Sequence, residues 1–183
     1  MSIFSRLETF AYKHVFVPRQ GKHTFDFIGD LYSKGEKVID FGSGIGTNSR
    51  LFSPDDYIGL EINKSRVSES CRAFPNYNFQ AISLINTESD RLPIEDNSHD
   101  IIFISLCLHH IDSKTCKLLF AEFRRILKRG GRILGIEPCI MPSSIFSNII
   151  MNVIDRGDYI ICLLYTSDAA DDTPCVDLGG RRI

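Results

Sequence analysis

The spacing of apolar residues changes along the chain, and the change marks its organisation. Near the N-terminus, Phe4, Leu7, Phe10 and Ala11 recur at helical spacing. Phe25, Phe27, Ile28 and Leu31 predict a second helix that stops at Gly35. Beyond it the apolar residues gather into short runs. Lys37 to Phe41 predicts a strand that enters Gly42-Ser43-Gly44-Ile45-Gly46, and Tyr57 to Glu61 predicts a second strand ending on an acid. Asn63 is placed to cap a helix from Lys64 to about Ala73. Tyr77 to Ile82 predicts a weaker third strand. Asp100 to Leu108 predicts a fourth, apolar throughout and therefore expected to be buried on both faces. Ser113 or Asp112 caps an amphipathic helix to Lys128, with Cys116, Leu119, Phe120, Phe123, Ile126 and Leu127 on one stripe. Gly130-Gly131 ends it, and Arg132 to Glu137 predicts a fifth strand closed by Pro138. Ser143 to about Ile154 predicts one more helix. Strands alternating with helices imply parallel βαβ units in a doubly wound α/β domain.

The last stretch breaks the pattern. From Cys162 the chain reads CLLYTSDAADDTPCVDLGGRRI, with no sustained period. Cys162 to Asp172 resembles the conceptual translation of a transposase-type sequencing adapter. Residues 162–183 are therefore expected to be a non-native, irregular tail, and residues 1–161 one domain. Within that domain, residues 1–34 are read as a helical lid and residues 35–138 as the core.

Composition narrows the class. The chain has 183 residues, 43% hydrophobic and 24% charged, which fits a globular protein with its own core. Its net charge is −2, so no basic excess drives binding to nucleic acid. No stretch approaches the ~20 apolar residues that span a bilayer, and the N-terminus lacks a signal-peptide pattern. A cytoplasmic protein is the expectation. The six cysteines, Cys71, Cys107, Cys116, Cys139, Cys162 and Cys175, form no C-x-x-C pair and are read as reduced small hydrophobes.

The glycine-rich turn carries the chemistry. A strand that ends in such a turn and opens a helix puts a ligand at the carboxyl edge of a sheet. Glycines allow close backbone approach, and the next helix would offer free N–H groups. Glu61 lies 19 residues after Gly42, at the end of the second strand, where a carboxylate binds two ribose hydroxyls. Either a dinucleotide or S-adenosylmethionine suits this arrangement. The spacing here is G-x-G-x-G rather than G-x-G-x-x-G, and Asp40 precedes it. A negative group there repels pyrophosphate and attracts an amino acid's ammonium.

The stretch from about Gly35 to Pro138 resembles a class I S-adenosylmethionine-dependent methyltransferase of the small-molecule, ubiquinone-biosynthesis-like group. Asp40 to Gly46 is similar to the family's first motif, and Glu61 to its ribose-binding acid. Leu92 to Asp100 resembles the L-P-F-x-D-x-S-F-D run, Leu108-His109-His110 the L-H-H segment, and Leu127 to Arg132 the L-K-P-G-G turn. His99 stands where the family has an aromatic residue, and Arg129 where it has proline. The resemblance implies a Rossmann-like, mostly parallel sheet of seven strands. Five are read before Pro138, so the final two are expected to be missing. It also implies S-adenosylmethionine held by Asp40, Gly42, Ser43, Gly44, Gly46, Glu61, Ile62 and Ser105, with Glu88 and Ser89 near adenine. Asp90 is an alternative to that last pair.

Methyl transfer asks little of side chains beyond holding two reactants in line. A base serves only a poorly acidic acceptor; His109, His110, His14, His23 and Tyr12 are the candidates, His109 and His110 being best placed. Two neighbouring histidines on a strand would point apart. With Asp112 they match no zinc spacing. Arg124-Arg125 and Lys128-Arg129 are read as a solvated helix face. The expected function is methyl transfer to a small-molecule acceptor. The alternatives are a methyltransferase-like binding module without catalysis and a nicotinamide-dependent oxidoreductase.

Overall fold

The computed structural model describes residues 31–137 together with Ile28. The first predicted helix, most of the lid, the helix from Ser143 and the tail from Cys162 lie outside the described residues. Within them, five strands form one parallel sheet in the order β3-β2-β1-β4-β5. These are β1 (Val38–Phe41), β2 (Tyr57–Glu61), β3 (Asn78–Ala81), β4 (His99–Ser105) and β5 (Leu127–Ile136). Two α-helices accompany them, α1 (Lys64–Ala73) and α2 (Ser113–Ile126). Among the described residues β5 pairs only with β4. Succession along the chain runs outward from β1 through β2 to β3, then returns to β4 on the other side of β1. The switch in direction therefore falls between β1 and β4, where such sheets open a crevice at their carboxyl ends.

Strand alternation separates two buried layers. Ile39 and Phe41 of β1, Leu60 of β2, and Ile102 and Ile104 of β4 face Leu119, Phe123 and Ile126 of α2. Val38, Tyr57, Ile101 and Phe103 face the opposite side, where Phe52, Phe79, Ile28, Val67 of α1 and Phe74 just after it cover them. The apolar run of β4 is buried on both faces because each face has its own cover. Asn63 caps α1, its Oδ1 accepting from the N–H groups of Ser65 and Arg66. Of the two residues proposed to cap α2, Asp112 does so, accepting from Lys114 and Thr115.

Several boundaries differ from the sequence reading. The turn after β1 opens a five-residue 3-10 segment, Thr47–Leu51, rather than a full helix. The chain leaves it at Phe52, whose ring packs against Tyr57 and Phe103. Without a full helix, the turn lacks the aligned helix terminus expected there. β4 stops at Ser105 rather than Leu108: Leu106 takes φ 52° and Leu108–His110 coil into a 3-10 turn. α2 stops at Ile126, two residues early. Lys128 to Gly131 form an irregularity at the start of β5, with Gly130 at φ 78°.

The basic pairs are not one solvated face. Arg124 and Arg129 are exposed, but Arg125 is largely buried and binds Glu122 at 2.7 Å, the Leu92 and Ile94 carbonyls, and Asp96. Lys128 reaches Asp100 at 2.7 Å. Cys71 also departs from the expectation: its thiol is exposed, whereas Cys107 and Cys116 are partly buried.

Candidate functional site

The carboxyl ends of β1 and β2 bring most of the proposed cofactor residues together. Gly42 and Ser43 both donate their N–H groups to the Leu60 carbonyl, at 2.8 and 3.0 Å, which ties the turn to β2. Gly42 has φ +77°, and a Cβ built there would lie 2.4 Å from the Cys107 Sγ. Only glycine fits, because the segment after β4 crosses directly over the turn. Gly44 differs. A Cβ on it would meet nothing closer than the Gly42 carbonyl oxygen at 4.0 Å, so its outer side faces open space.

Glu61 is 4% exposed and fastens the turn through both carboxylate oxygens. Oε2 accepts the Gly44 N–H at 2.9 Å and Oε1 the Asn63 N–H at 2.8 Å. Each oxygen retains a lone pair for a further donor, and two such sites side by side suit a vicinal diol. Ile62 follows and is 51% exposed, the one large hydrophobic residue so exposed among the described residues.

Asp40 is fully buried on the layer that contains Tyr57. Its Oδ2 accepts the Tyr57 hydroxyl at 2.7 Å, while Oδ1 has no partner among the described residues. Burial first, then the nearby Glu61 charge, pushes its carboxyl up to about 7, against the pull of the Tyr57 hydroxyl. Ser43 Oγ is a second buried polar atom without a partner among the described residues. An orphaned carboxylate oxygen beside a glycine turn calls for a cation or donor.

The remaining proposed residues are spread out. Ser105 ends β4, in register with Ile136. Glu88 and Ser89 are exposed in the loop after β3; the Ser89 hydroxyl bonds that of Thr87, within the loop. Asp90 also turns inward on that loop, accepting from the N–H groups of Asn86 and Thr87, and those bonds hold its carboxyl below the usual range. His109 and His110 sit on the 3-10 turn rather than a strand. His109 is buried, His110 exposed, and their ring centroids are 4.0 Å apart.

Three residues near the site carry roles that sequence reasoning did not assign. Tyr57 is the donor to Asp40. Gly59 gives way to Phe79 and the Ser43 hydroxyl, which would lie 2.5 and 2.9 Å from its Cβ. Glu137, after β5, accepts the backbone N–H groups of Cys107 and Leu108, each at 2.8 Å, and contacts His109 Nδ1 at 2.6 Å. Its signal in the sequence is only an acid at a strand's carboxyl end. The Cys107 thiol lies near Glu137, Glu61 and Asp40; burial chiefly, and then those charges, push its ionisation upward and disfavour the thiolate.

No helix among the described residues is long and apolar enough to cross a membrane, and no group of three His, Cys, Asp or Glu there is placed to hold a metal.

Comparison with known proteins agrees with this geometry. The chain is 30% identical over 139 residues to the ubiquinone/menaquinone biosynthesis C-methyltransferase UbiE of Pasteurella multocida, covering 70% of this chain and 51% of that protein. It is 30% identical over 105 residues to the demethylmenaquinone methyltransferase of Beutenbergia cavernae, covering 56% and 41%. The chain thus spans about half the length of these relatives. In fold it is similar to the YcgJ protein of Bacillus subtilis, with TM-score 0.55, 22% identity, and coverage of 72% of this chain and 57% of that one. A TehB-like S-adenosylmethionine-dependent methyltransferase from Corynebacterium glutamicum gives TM-score 0.55 at 16% identity, covering 72% of each chain. The family described as methyltransferase domain matches residues 39–135, more than half of the chain and nearly the whole sheet, so the chain belongs to that family.

Proposed function

We propose that the protein transfers a methyl group from S-adenosylmethionine to a small-molecule acceptor. The observation that carries this reading is the pairing of Glu61 with the Gly44 N–H beside a buried, half-satisfied Asp40. In this reading Glu61 accepts the two ribose hydroxyls, Asp40 faces the ammonium of the methionine part, and Gly42, Ser43, Gly44 and Gly46 supply a backbone surface without side chains. Ile62 covers the adenine, with Glu88 and Ser89 at the rim of its pocket and Ser105 at the methyl-transfer end. When bound, S-adenosylmethionine supplies a methyl on a sulfonium, activated for in-line transfer. The chain's own contribution is to hold the two partners close and to exclude water. Relatives named for demethylmenaquinone support an acceptor of the quinol class, methylated at carbon.

The reading is tested in two steps on the full chain. S-adenosylmethionine at about 100 times its dissociation constant should stabilise the fold by about 2.7 kcal/mol, visible as a raised melting temperature, whereas NAD should not. Incubation with labelled S-adenosylmethionine and reduced demethylmenaquinone should then move label to the quinol. A shift with NAD alone would overturn the cofactor assignment. A shift with S-adenosylmethionine but no transfer to any acceptor would favour a binding module.

A further inference from the structure

Among the described residues, every Leu, Ile, Val and Phe lies in one of the two buried layers or packs against it, except Ile45, Ile62 and Leu106. Those three share one place in the fold. Ile45 lies in the glycine turn after β1, Ile62 follows β2 directly, and Leu106 follows β4 directly, so each sits at the carboxyl edge of the sheet. The apolar side chains left out of the core are gathered at that edge rather than scattered singly over the surface. Ile45 and Leu106 belong to the two strands that flank the switch point, where the crevice opens. Both are half-buried. The residue after Leu106, Cys107, lies against Gly42, so this segment borders the glycine turn itself.

Leu106 is held there at a cost. Two non-glycine residues among those described have positive φ, Asn97 at 48° and Leu106 at 52°. Asparagine enters this region readily, whereas a bulky leucine does not. The backbone nevertheless fixes it. The Leu106 N–H donates to the Ile136 carbonyl at 2.8 Å, and the next two N–H groups, of Cys107 and Leu108, both donate to Glu137 Oε1 at 2.8 Å. Three consecutive N–H groups are thus fastened to the end of β5. Strain over-determined in this way persists at ligand clamps and active sites. We propose that Leu106 is a specificity-determining residue: its half-exposed side chain forms an apolar wall of the crevice, against which the ring of the methyl acceptor packs. The inference rests on the methyltransferase reading and deepens it, because it gives an apolar, ring-bearing acceptor a residue of this chain to recognise it.

Fluorescence titration of 2-naphthol, a stable apolar double ring with one hydroxyl, into the full chain saturated with S-adenosylhomocysteine tests this. Leu106→Asn removes the apolar side chain and suits the left-handed backbone; Leu106→Met keeps an apolar side chain of similar volume. Wild type should bind 2-naphthol saturably. Leu106→Asn should bind it about tenfold more weakly, and Leu106→Met within about threefold of wild type. S-adenosylhomocysteine should bind all three proteins within about threefold of one another. Leu106→Asn should melt no lower than wild type, because the strain is relieved and no core contact is lost. Equal 2-naphthol affinity in wild type and Leu106→Asn overturns the proposal, as does the absence of 2-naphthol binding to loaded wild type. A Leu106→Asn protein that melts several degrees lower also overturns it, since the leucine would then be held by internal packing. Failure of wild type to bind S-adenosylhomocysteine would count against the methyltransferase reading instead, and the same titration on the ligand-free chain would then decide whether Leu106 lines an apolar site.

Discussion

Asp40 and His99 are both buried, and the fold favours the neutral form of each, with opposite consequences for stability as pH changes. The Asp40 carboxyl is raised to about 7, chiefly by burial. Native protein therefore holds a proton that the unfolded chain loses near pH 4, and stability should fall as pH rises through that window. Asp40→Asn keeps an acceptor for the Tyr57 hydroxyl without the charge. Urea unfolding should find it equal to wild type near pH 4 and more stable near pH 8, by on the order of 1–3 kcal/mol. It should also bind S-adenosylmethionine more weakly. His99 is lowered to about 4 by burial and by the charges of Lys37 and Lys128, although Asp100 pulls the other way. Here the unfolded chain binds the extra proton, so stability is lost as pH falls below about 6.5. His99→Phe, the aromatic residue that the family resemblance implies, should flatten the acid limb of a pH–melting curve. An unchanged acid limb would show that His99 carries no such penalty. At Gly42, alanine should lower the melting temperature through both its φ of +77° and the Cys107 contact. Adding Cys107→Ala should recover only part, since the Cys107 Cβ would still lie 2.8 Å away.

At the scale of elements, the local signals in the sequence were sufficient where a single residue sets a boundary. Asn63 and Asp112 each satisfy two N–H groups within three residues, a purely local arrangement. Asp112→Ala should cost about 1 kcal/mol, or roughly 2–4 °C of melting temperature, checked by calorimetry. A loss within error would mean that the α2 start is fixed by packing instead. Boundaries set by distant residues were not legible. β4 ends early because Glu137 pulls the Cys107 and Leu108 N–H groups out of line with the strand. The early end of α2 belongs with this group. Its last turn feeds Leu127 into the core, and Arg125 is drawn back over the Leu92–Ile94 loop. A helix-spacing argument sees the apolar stripe but not those partners.

For the whole molecule, the five parallel strands and the two buried faces follow from the alternation of strand and helix signals, and the turn between β1 and β2 was placed by its glycines, whereas the strand order was not legible. What escaped was every contact whose two ends are far apart in sequence: Tyr57 with Asp40, Phe79 over Gly59, Glu137 beneath His109. Each depends on which strands become neighbours, which no local pattern encodes. The central claim, that the crevice at the ends of β1 and β2 binds S-adenosylmethionine through Glu61, is tested most directly by isothermal titration of S-adenosylhomocysteine into the full chain and into Glu61→Ala. The account predicts saturable binding to wild type and an affinity about ten- to hundredfold weaker in the variant, from the loss of about 1.5–3 kcal/mol of charge-assisted hydrogen bonding. Equal affinity in the two proteins would contradict it.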